Sequence, residues 1–469
     1  MYLSPKDIQL VMERDSARPT ILCEYAHAMG NSTGNFKEYW DAFRQYPRLQ
    51  GGFIWDYMDQ GIQQTAQNGD IYYAYGGDFG DASPDSNFCI NGIVWPNRRP
   101  KPAMQEIKYA QQNIRIKSSR TQNGISIIRL QNDYTFADLD NHTIFWQLHQ
   151  EGKILKEGQE PIYRLPPGSE KSLRIDTESY LEGYDTEKDL WLDISVRLDS
   201  ATPWARAGHE VAWEQVAVKK GTIRNAAYPE GIEARLADGK ENLMVIGKDF
   251  EIILDKQTGY ITKWTYNRKP LVQQGPQLNF WRAPTDNDAG GNPLNRSFLD
   301  SWNKQKIQKV ETVVKDIQIT TYEDFHWLVE IESQVKAGKL KGDLTLRYRF
   351  YTNGKVELEL SLDRKGDLPL PKVGTELRLP ENMDQLTWYG LGPEPTYPDR
   401  KEGGRMNQYQ VSVIDDFIPY IKPQDYGNKA QVQWAEIKDE AGNGLRISGE
   451  NLHLSVSPFS LAELSTARH

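Results

Sequence analysis

The chain has 469 residues, enough for about three domains at roughly 150 residues each. Lys and Arg total 56 against 65 Asp and Glu, and the resulting charge of −9 argues against nucleic acid as a partner, because phosphate neutralisation needs clustered cations. No stretch approaches about 18 consecutive apolar residues, which argues against a membrane span, and Cys23 and Cys89 build neither a disulfide framework nor a metal-ligand spacing.

The opening MYLSPKDIQLVMERDSARPT shows no apolar core ahead of a small-residue cleavage site, so no secretory signal is visible; localisation stays open, with the cytoplasm weakly favoured beside the periplasm or secretion. Thr20-Ile21-Leu22-Cys23 is a short apolar run of the buried parallel-strand type. A turn follows at Gly30-Asn31-Ser32-Thr33-Gly34. From Asn35 to Tyr46 the residues Phe36, Tyr39, Trp40 and Phe43 fall at helical spacing, and Pro47 stops the helix. Gly51 to Trp55 reads as a second buried strand. Strand, helix and strand make one right-handed βαβ unit. One such unit cannot bury both faces of its sheet, which favours a chain that begins inside a larger α/β domain.

Beyond Pro100 the pattern changes to short alternating runs separated by Gly, Asn, Asp and Pro, such as Ile125 to Leu130 and Leu190 to Val196. That is the signature of an antiparallel sandwich. Further strands follow at Phe250 to Leu254, Leu344 to Phe350 and Val356 to Leu362, in a region too long for one small sandwich. The rings, 13 Trp, 24 Tyr and 14 Phe, suit sheet cores and sugar stacking alike, and their number does not separate the two uses.

In a parallel α/β barrel the reactive groups lie at the C-terminal ends of strands. Here those ends carry Glu24, Tyr25 and His27, then Trp55, Asp56 and Asp59. A carboxylate beside a ring is what glycoside hydrolysis uses, with one carboxylate attacking or activating water, a second acting as acid, and an aromatic face under the sugar. A rim salt bridge is the competing use of Glu24.

The stretches CEYAHAMGNSTGNFKEYW (Cys23 to Trp40), YPRLQGGFIWDYMDQG (Tyr46 to Gly61), YGGDFGD (Tyr75 to Asp81) and FCING (Phe88 to Gly92) resemble the β-galactosidases of glycoside hydrolase family 2. The resemblance continues through WRAPTDND (Trp281 to Asp288), YGLGPEPTYPDR (Tyr389 to Arg400) and LAELSTARH (Leu461 to His469). It implies a mainly β, multidomain chain. Residues 1–112 would be the C-terminal part of a (β/α)8 TIM barrel, 113–222 an immunoglobulin-like β-sandwich, and 223–469 a truncated large double-sheet domain of the mutarotase-like supersandwich type.

The same resemblance implies that Glu24 is the nucleophile of a retaining mechanism, a role that requires an ionised carboxylate. His27 would bind galactose hydroxyls and Trp55 would floor the sugar pocket. The Phe88 carbonyl and the Asn91 side chain would form part of a sodium site, with Asn91 also at the substrate. Tyr2 would match the tyrosine that hydrogen-bonds the nucleophile, on the strength of a Met-Tyr pair at a similar distance upstream. The implied substrate is a β-galactoside such as lactose, with homo-oligomer contacts made by the β domains. The family's general acid/base glutamate, its magnesium ligands and the aspartate that completes the sodium site would all lie upstream of Met1. The expectation is therefore a C-terminal piece of such an enzyme, inactive alone, or alternatively a non-catalytic binding or assembly fragment.

Several features carry other readings. Asp286-Asn287-Asp288-Ala289-Gly290 looks like a calcium loop, but an EF-hand would need a bidentate Glu where Ser297 stands, so a turn packed near the barrel rim is expected. Cys23 and Cys89 are expected to be buried and inert. An epimerase reading of the last domain has only His326 and His453 as candidate acid and base.

Overall fold

The computed structural model describes residues 3–14, 17–122, 125–177, 184–221, 234–290, 297–322 and 326–468. Tyr2 lies outside these residues. Among the described residues no helix is long and apolar enough to cross a membrane.

The α/β segment opens with helix α1 (Pro5–Arg14), strand β1 (Thr20–Tyr25), helix α2 (Phe36–Gln45) and strand β2 (Leu49–Ile54). β1 and β2 pair in parallel, Leu22 against Gly52 and Tyr25 against Ile54, so the expected βαβ unit forms. Its helical face is closed by rings. Tyr25 lies 5.6 Å from Phe36, 5.1 Å from Tyr39 and 5.4 Å from Phe43, which are the residues whose spacing marks the helix. Pairs of this kind add about 0.5–1.5 kcal/mol each beyond the area they bury. Helix α3 (Ala103–Gln111) adds Ile107 and Ala110 to the same core.

The two strands are buried on that face only. Leu22, Tyr25 and Leu49 are buried, whereas Ile21 and Phe53 are 60% and 67% exposed. Parallel strands read as continuous apolar runs because helices cover both faces, and here α1, α2 and α3 all cluster with one face. The expected burial of Cys23 fails for the same reason, since its side chain stands on the open side and is exposed. A hairpin of β3 (Ile62–Thr65) and β4 (Ile71–Ala74) and a 3-10 turn at Ser86–Cys89 complete the segment.

The next region is a sandwich of seven strands: β5 (Ile114–Gln122), β6 (Ile125–Asn132), β7 (His142–Gln150), β8 (Lys153–Pro161), β9 (Glu170–Asp176), β10 (Leu190–Leu198) and β11 (Glu210–Lys219). One sheet runs β5-β6-β9 and the other β11-β10-β7-β8, antiparallel throughout. The alternation along β10 turns Leu190, Leu192, Ile194 and Val196 into the shared core with Ile128, Leu130, Ile144 and Leu148.

The last region builds a larger double-sheet body. A five-stranded sheet spanning 234–272 and a four-stranded sheet of long strands, Val310–Tyr322, His326–Ala337, Leu340–Tyr351 and Val356–Lys365, share a core that includes Val245, Ile252, Ile331, Leu346 and Phe350. A second four-stranded sheet orders Arg405–Ser412, Gln385–Gly392, Lys429–Lys438 and Gly444–Leu454 around Leu386, Trp388, Val432 and Ile437. His326 and His453 belong to different sheets of this body. His326 stacks on Tyr322 at 4.5 Å, and His453 hydrogen-bonds Asn428 at 3.2 Å. The connections around residues 283–288, 396–400 and 424–425 reach back to the α/β segment.

Candidate active site

Glu24 lies one residue before the end of β1 and is half-buried. Trp55 follows the last residue of β2 and keeps 38% of its surface exposed. The parallel ladder continues past both strands and binds these ends together. Trp55 N–H donates to the Tyr25 carbonyl at 3.1 Å, and Ala28 N–H donates to the Trp55 carbonyl at 2.7 Å. The peptide between Trp55 and Asp56 is cis. Asp56 N–H then donates to the Asn91 carbonyl at 2.7 Å, and Ile93 N–H donates to the Asp56 carbonyl at 2.9 Å. The segments that carry residues 24, 55 and 91, far apart in sequence, are thereby joined through backbone bonds of Tyr25, Trp55, Asp56 and Asn91.

His27 follows in the loop after β1. Burial holds its imidazole below the ordinary pKa, while the nearby Glu24 and Asp286 carboxylates push it the other way. Its ring sits 5.6 Å from that of Phe88, which is itself 47% exposed. Glu24, His27, Trp55, Phe88 and Asn91 therefore gather at one end of the sheet. The carboxylate of Asp56 accepts from Gln60 Nε2 at 2.8 Å, and that of Asp59 is turned inward.

Asp59 anchors the floor of this group. Its Oδ1 accepts from Lys101 Nζ at 2.7 Å and from the Gly92 N–H at 2.7 Å, with the Lys and Asp side chains almost fully buried. Burial raises the Asp59 pKa, and the Lys101 charge opposes it. Gly92 has no room for a side chain, since a Cβ would stand 2.2 Å from the Asp59 nitrogen. The pair and the close backbone contact fix the chain immediately after Asn91.

Asn91 is buried; its Nδ2 donates to the Phe88 carbonyl at 2.9 Å and its Oδ1 has no hydrogen-bond partner. The Phe88 carbonyl and the Asn91 amide oxygen are hard, neutral oxygens of the kind that suits a cation such as sodium, and here the amide turns its NH₂ to that carbonyl and leaves Oδ1 unpartnered. The chemistry of the donor set fits a partial cation site. Among the described residues no group of three or more His, Cys, Asp or Glu gathers to hold a metal ion.

Strand-end position together with the resemblance pointed to Glu24, His27 and Trp55, but not to the groups that hold them. Asp286 was expected to be a turn near the rim, and it does pack against Gly30; it also bonds Asn87 and Gln424. Asn31 and Lys101 gave no sign of their roles, and Asp59, named as a strand-end group, is instead held in the buried pair with Lys101. The available signal was that Asn31, Tyr397 and Arg400 all fall inside stretches carrying the family resemblance.

Comparison with known proteins places this geometry. The model for the TIM barrel domain of glycosyl hydrolases family 2 matches residues 3–116, that for domain 4 of beta-galactosidase matches 128–219, and that for the beta galactosidase small chain matches 246–469. A beta-galactosidase of Priestia megaterium is 34% identical over all of this chain, and one of Psychromonas ingrahamii is 35% identical over 96% of it. One of Halalkalibacterium halodurans is 33% identical over all of it. The chain spans 44 to 45% of the length of these relatives. A solved β-glucuronidase of family 2 aligns over 85% of this chain and 35% of its own, at 10% identity and a TM-score of 0.16, too weak a likeness to bear on the fold. Matched in order by three models of family-2 domains and along its whole length by β-galactosidases at a third identity, the chain belongs to glycoside hydrolase family 2.

Proposed function

We propose that this chain supplies the nucleophile side of a retaining β-galactosidase site. What carries the reading is the gathering of Glu24, His27 and Trp55 at the C-terminal ends of two parallel strands, in a chain whose relatives are named beta-galactosidases. The Glu24 carboxylate attacks the anomeric carbon of a terminal β-galactoside such as lactose. The bond to the leaving oxygen breaks, and that oxygen takes a proton from a carboxylic acid. Water then displaces Glu24, giving up its proton to the same acid in its basic form. His27 hydrogen-bonds the sugar hydroxyls, Trp55 stacks beneath its apolar face, and Asn91 serves both the substrate and the cation position. A sodium ion held by the Phe88 carbonyl and Asn91 would supply positive charge beside the sugar. Tyr2 is proposed to hydrogen-bond Glu24, and it lies outside the described residues.

The acid is proposed to come from outside this chain. Asp56 and Asp59, the carboxylates that follow the second strand, are engaged by Gln60 and by Lys101 and Gly92. Loss of a general acid costs about 10²- to 10⁴-fold, so the isolated chain is expected not to hydrolyse lactose. The bare apolar face at Ile21 and Phe53 favours a role in a larger assembly that completes the barrel.

The test uses dinitrophenyl 2-deoxy-2-fluoro-β-galactoside, whose leaving group needs no acid. The full chain should gain one fluorogalactosyl mass on the peptide holding Glu24, and Glu24→Gln should gain none. Absence of label at Glu24 with millimolar reagent overturns the nucleophile assignment. Turnover of lactose by the pure chain, lost in Glu24→Gln, overturns the claim of inactivity.

A further inference from the structure

The loop that leaves the Glu24 strand is gripped by the large β region. Asn31 is buried, and that region engages its backbone N–H and its whole side-chain amide. The N–H donates to Gln424 Oε1 at 2.9 Å, and Nδ2 donates to the Tyr397 hydroxyl and the Asp425 carbonyl, both at 2.8 Å. Its Oδ1 accepts from Arg400 Nη2 at 2.7 Å. Gly30, at φ +59°, is forced by the same grip, because a Cβ would stand 2.4 Å from both Asp286 Oδ2 and the Gln424 amide.

A second grip starts at Asp286. Its Oδ2 accepts from Gln424 Nε2 at 2.9 Å and its Oδ1 from Asn87 Nδ2 at 2.8 Å, while Lys422 Nζ lies 3.3 Å from Asn87 Oδ1. Asn87 directly precedes Phe88 on the 3-10 turn, and Asn91 follows four residues on. We infer that Asp286 is a positioning residue for the Glu24 site, its carboxylate linking the Gln424–Asn31 socket behind the nucleophile strand to the Asn87 turn that carries Phe88 and Asn91. What is positioned rests on the galactosidase reading above; the linkage itself does not.

The polarity of the chain of bonds makes the carboxylate necessary. Gln424 must aim its oxygen at the Asn31 N–H, so its NH₂ faces Asp286. Asn87 also presents an NH₂. Two donors converge on residue 286, and only a group that accepts on both oxygens satisfies them; an asparagine there would face one donor with its own NH₂. The opposite exchange on the other side of one bond repairs this. In Asp286→Asn with Asn87→Asp, the amide at 286 donates to the carboxylate at 87, still accepts from Gln424, and leaves Lys422 beside an acceptor.

The experiment compares the full chain with Asp286→Asn and with the double exchange. It reads hydrogen exchange over residues 25–34 and 84–95, and the rate and binding constants for labelling of Glu24 by the dinitrophenyl fluorogalactoside. Asp286→Asn is expected to speed exchange at least tenfold in both segments and to lower the labelling rate constant at unchanged binding. The double exchange should bring both back to within about threefold of the wild type. Unchanged exchange in either segment, or failure of the double exchange to rescue, overturns the inference. If the wild type takes no label, the galactosidase reading falls and the exchange measurement alone decides the linkage. Should Asp286→Asn not fold, Asn87→Ala is read for faster exchange at Gly30 and Asn31, and no change there overturns the inference.

Discussion

Lys101→Met isolates the buried ion pair beneath the site. In the wild type, Lys101 Nζ donates to Asp59 Oδ1 at 2.7 Å, and Asp59 Oδ2 has no partner. Removing the ammonium leaves Asp59 with a single bond, from the Gly92 N–H. Breaking a buried pair in this way costs about 3–5 kcal/mol. The molecule can escape part of that by protonating Asp59, and the proton's cost depends on pH. From an unfolded value of about 3.9, holding the acid neutral costs about 4 kcal/mol at pH 7 and about 1.5 kcal/mol at pH 5. The sign follows from burial raising the Asp59 pKa, so that the folded variant binds a proton the unfolded chain lacks. The loss should therefore be large at pH 7 and shrink as pH falls. Hydrogen exchange over residues 56–60 and 90–95 measures it as opening free energy against the wild type at each pH. A tenfold change in protection is about 1.4 kcal/mol, so about a hundredfold loss or more is expected at pH 7. A loss below fivefold at pH 7, or no relief at pH 5, would refute the reasoning.

Other perturbations address other parts of the molecule. Burial pushes Glu106 up to about 7 although its Oε2 accepts from the Gly403 N–H at 2.7 Å, so its ionisation destabilises the fold increasingly as pH rises toward 7. Glu106→Gln should stabilise by on the order of 2–3 kcal/mol at pH 8 and by little at pH 4.5, read in urea melts; equal effects at both would contradict it. Cys23 should react with Ellman's reagent well before Cys89, because Cys23 is exposed whereas burial raises the pKa of the half-buried Cys89; equal rates would count against the open sheet face. Phe350→Ala removes a fully buried ring from the core of the large double-sheet body and should cost about 3–5 kcal/mol in denaturant melts, with a loss under 1 kcal/mol contrary to the packing described.

Local physics was legible without coordinates. The spacing of Phe36, Tyr39, Trp40 and Phe43 marked a helix because four rings on one stripe must face a core, and all four do meet Tyr25, three ring to ring and Trp40 through its indole N–H to the Tyr25 hydroxyl. The alternation from Leu190 to Val196 marked a strand with one buried face, and that face is buried. The same reasoning misjudged Ile21, Cys23 and Phe53, because an apolar run states what a strand prefers and not what stands opposite it. Burial is a property of two surfaces, and sequence describes one at a time.

The candidate site divides in the same way. Residue type and position at strand ends named Glu24, Tyr25, His27, Trp55, Asp56 and Asp59, and the resemblance to family 2 narrowed these to Glu24, His27 and Trp55. Tertiary structure alone decided what holds them. Asn31 meets Gln424 and Asp425 across more than 390 positions, and Asp286 meets Asn87 across 199. Nothing local constrains such partners, because each polar group is satisfied by whichever complementary group the fold delivers. The sequence by itself nominated the chemical groups at the strand ends; the packing of the large β region against the α/β segment decided where they stand, because partners so distant in the chain meet only in the folded molecule.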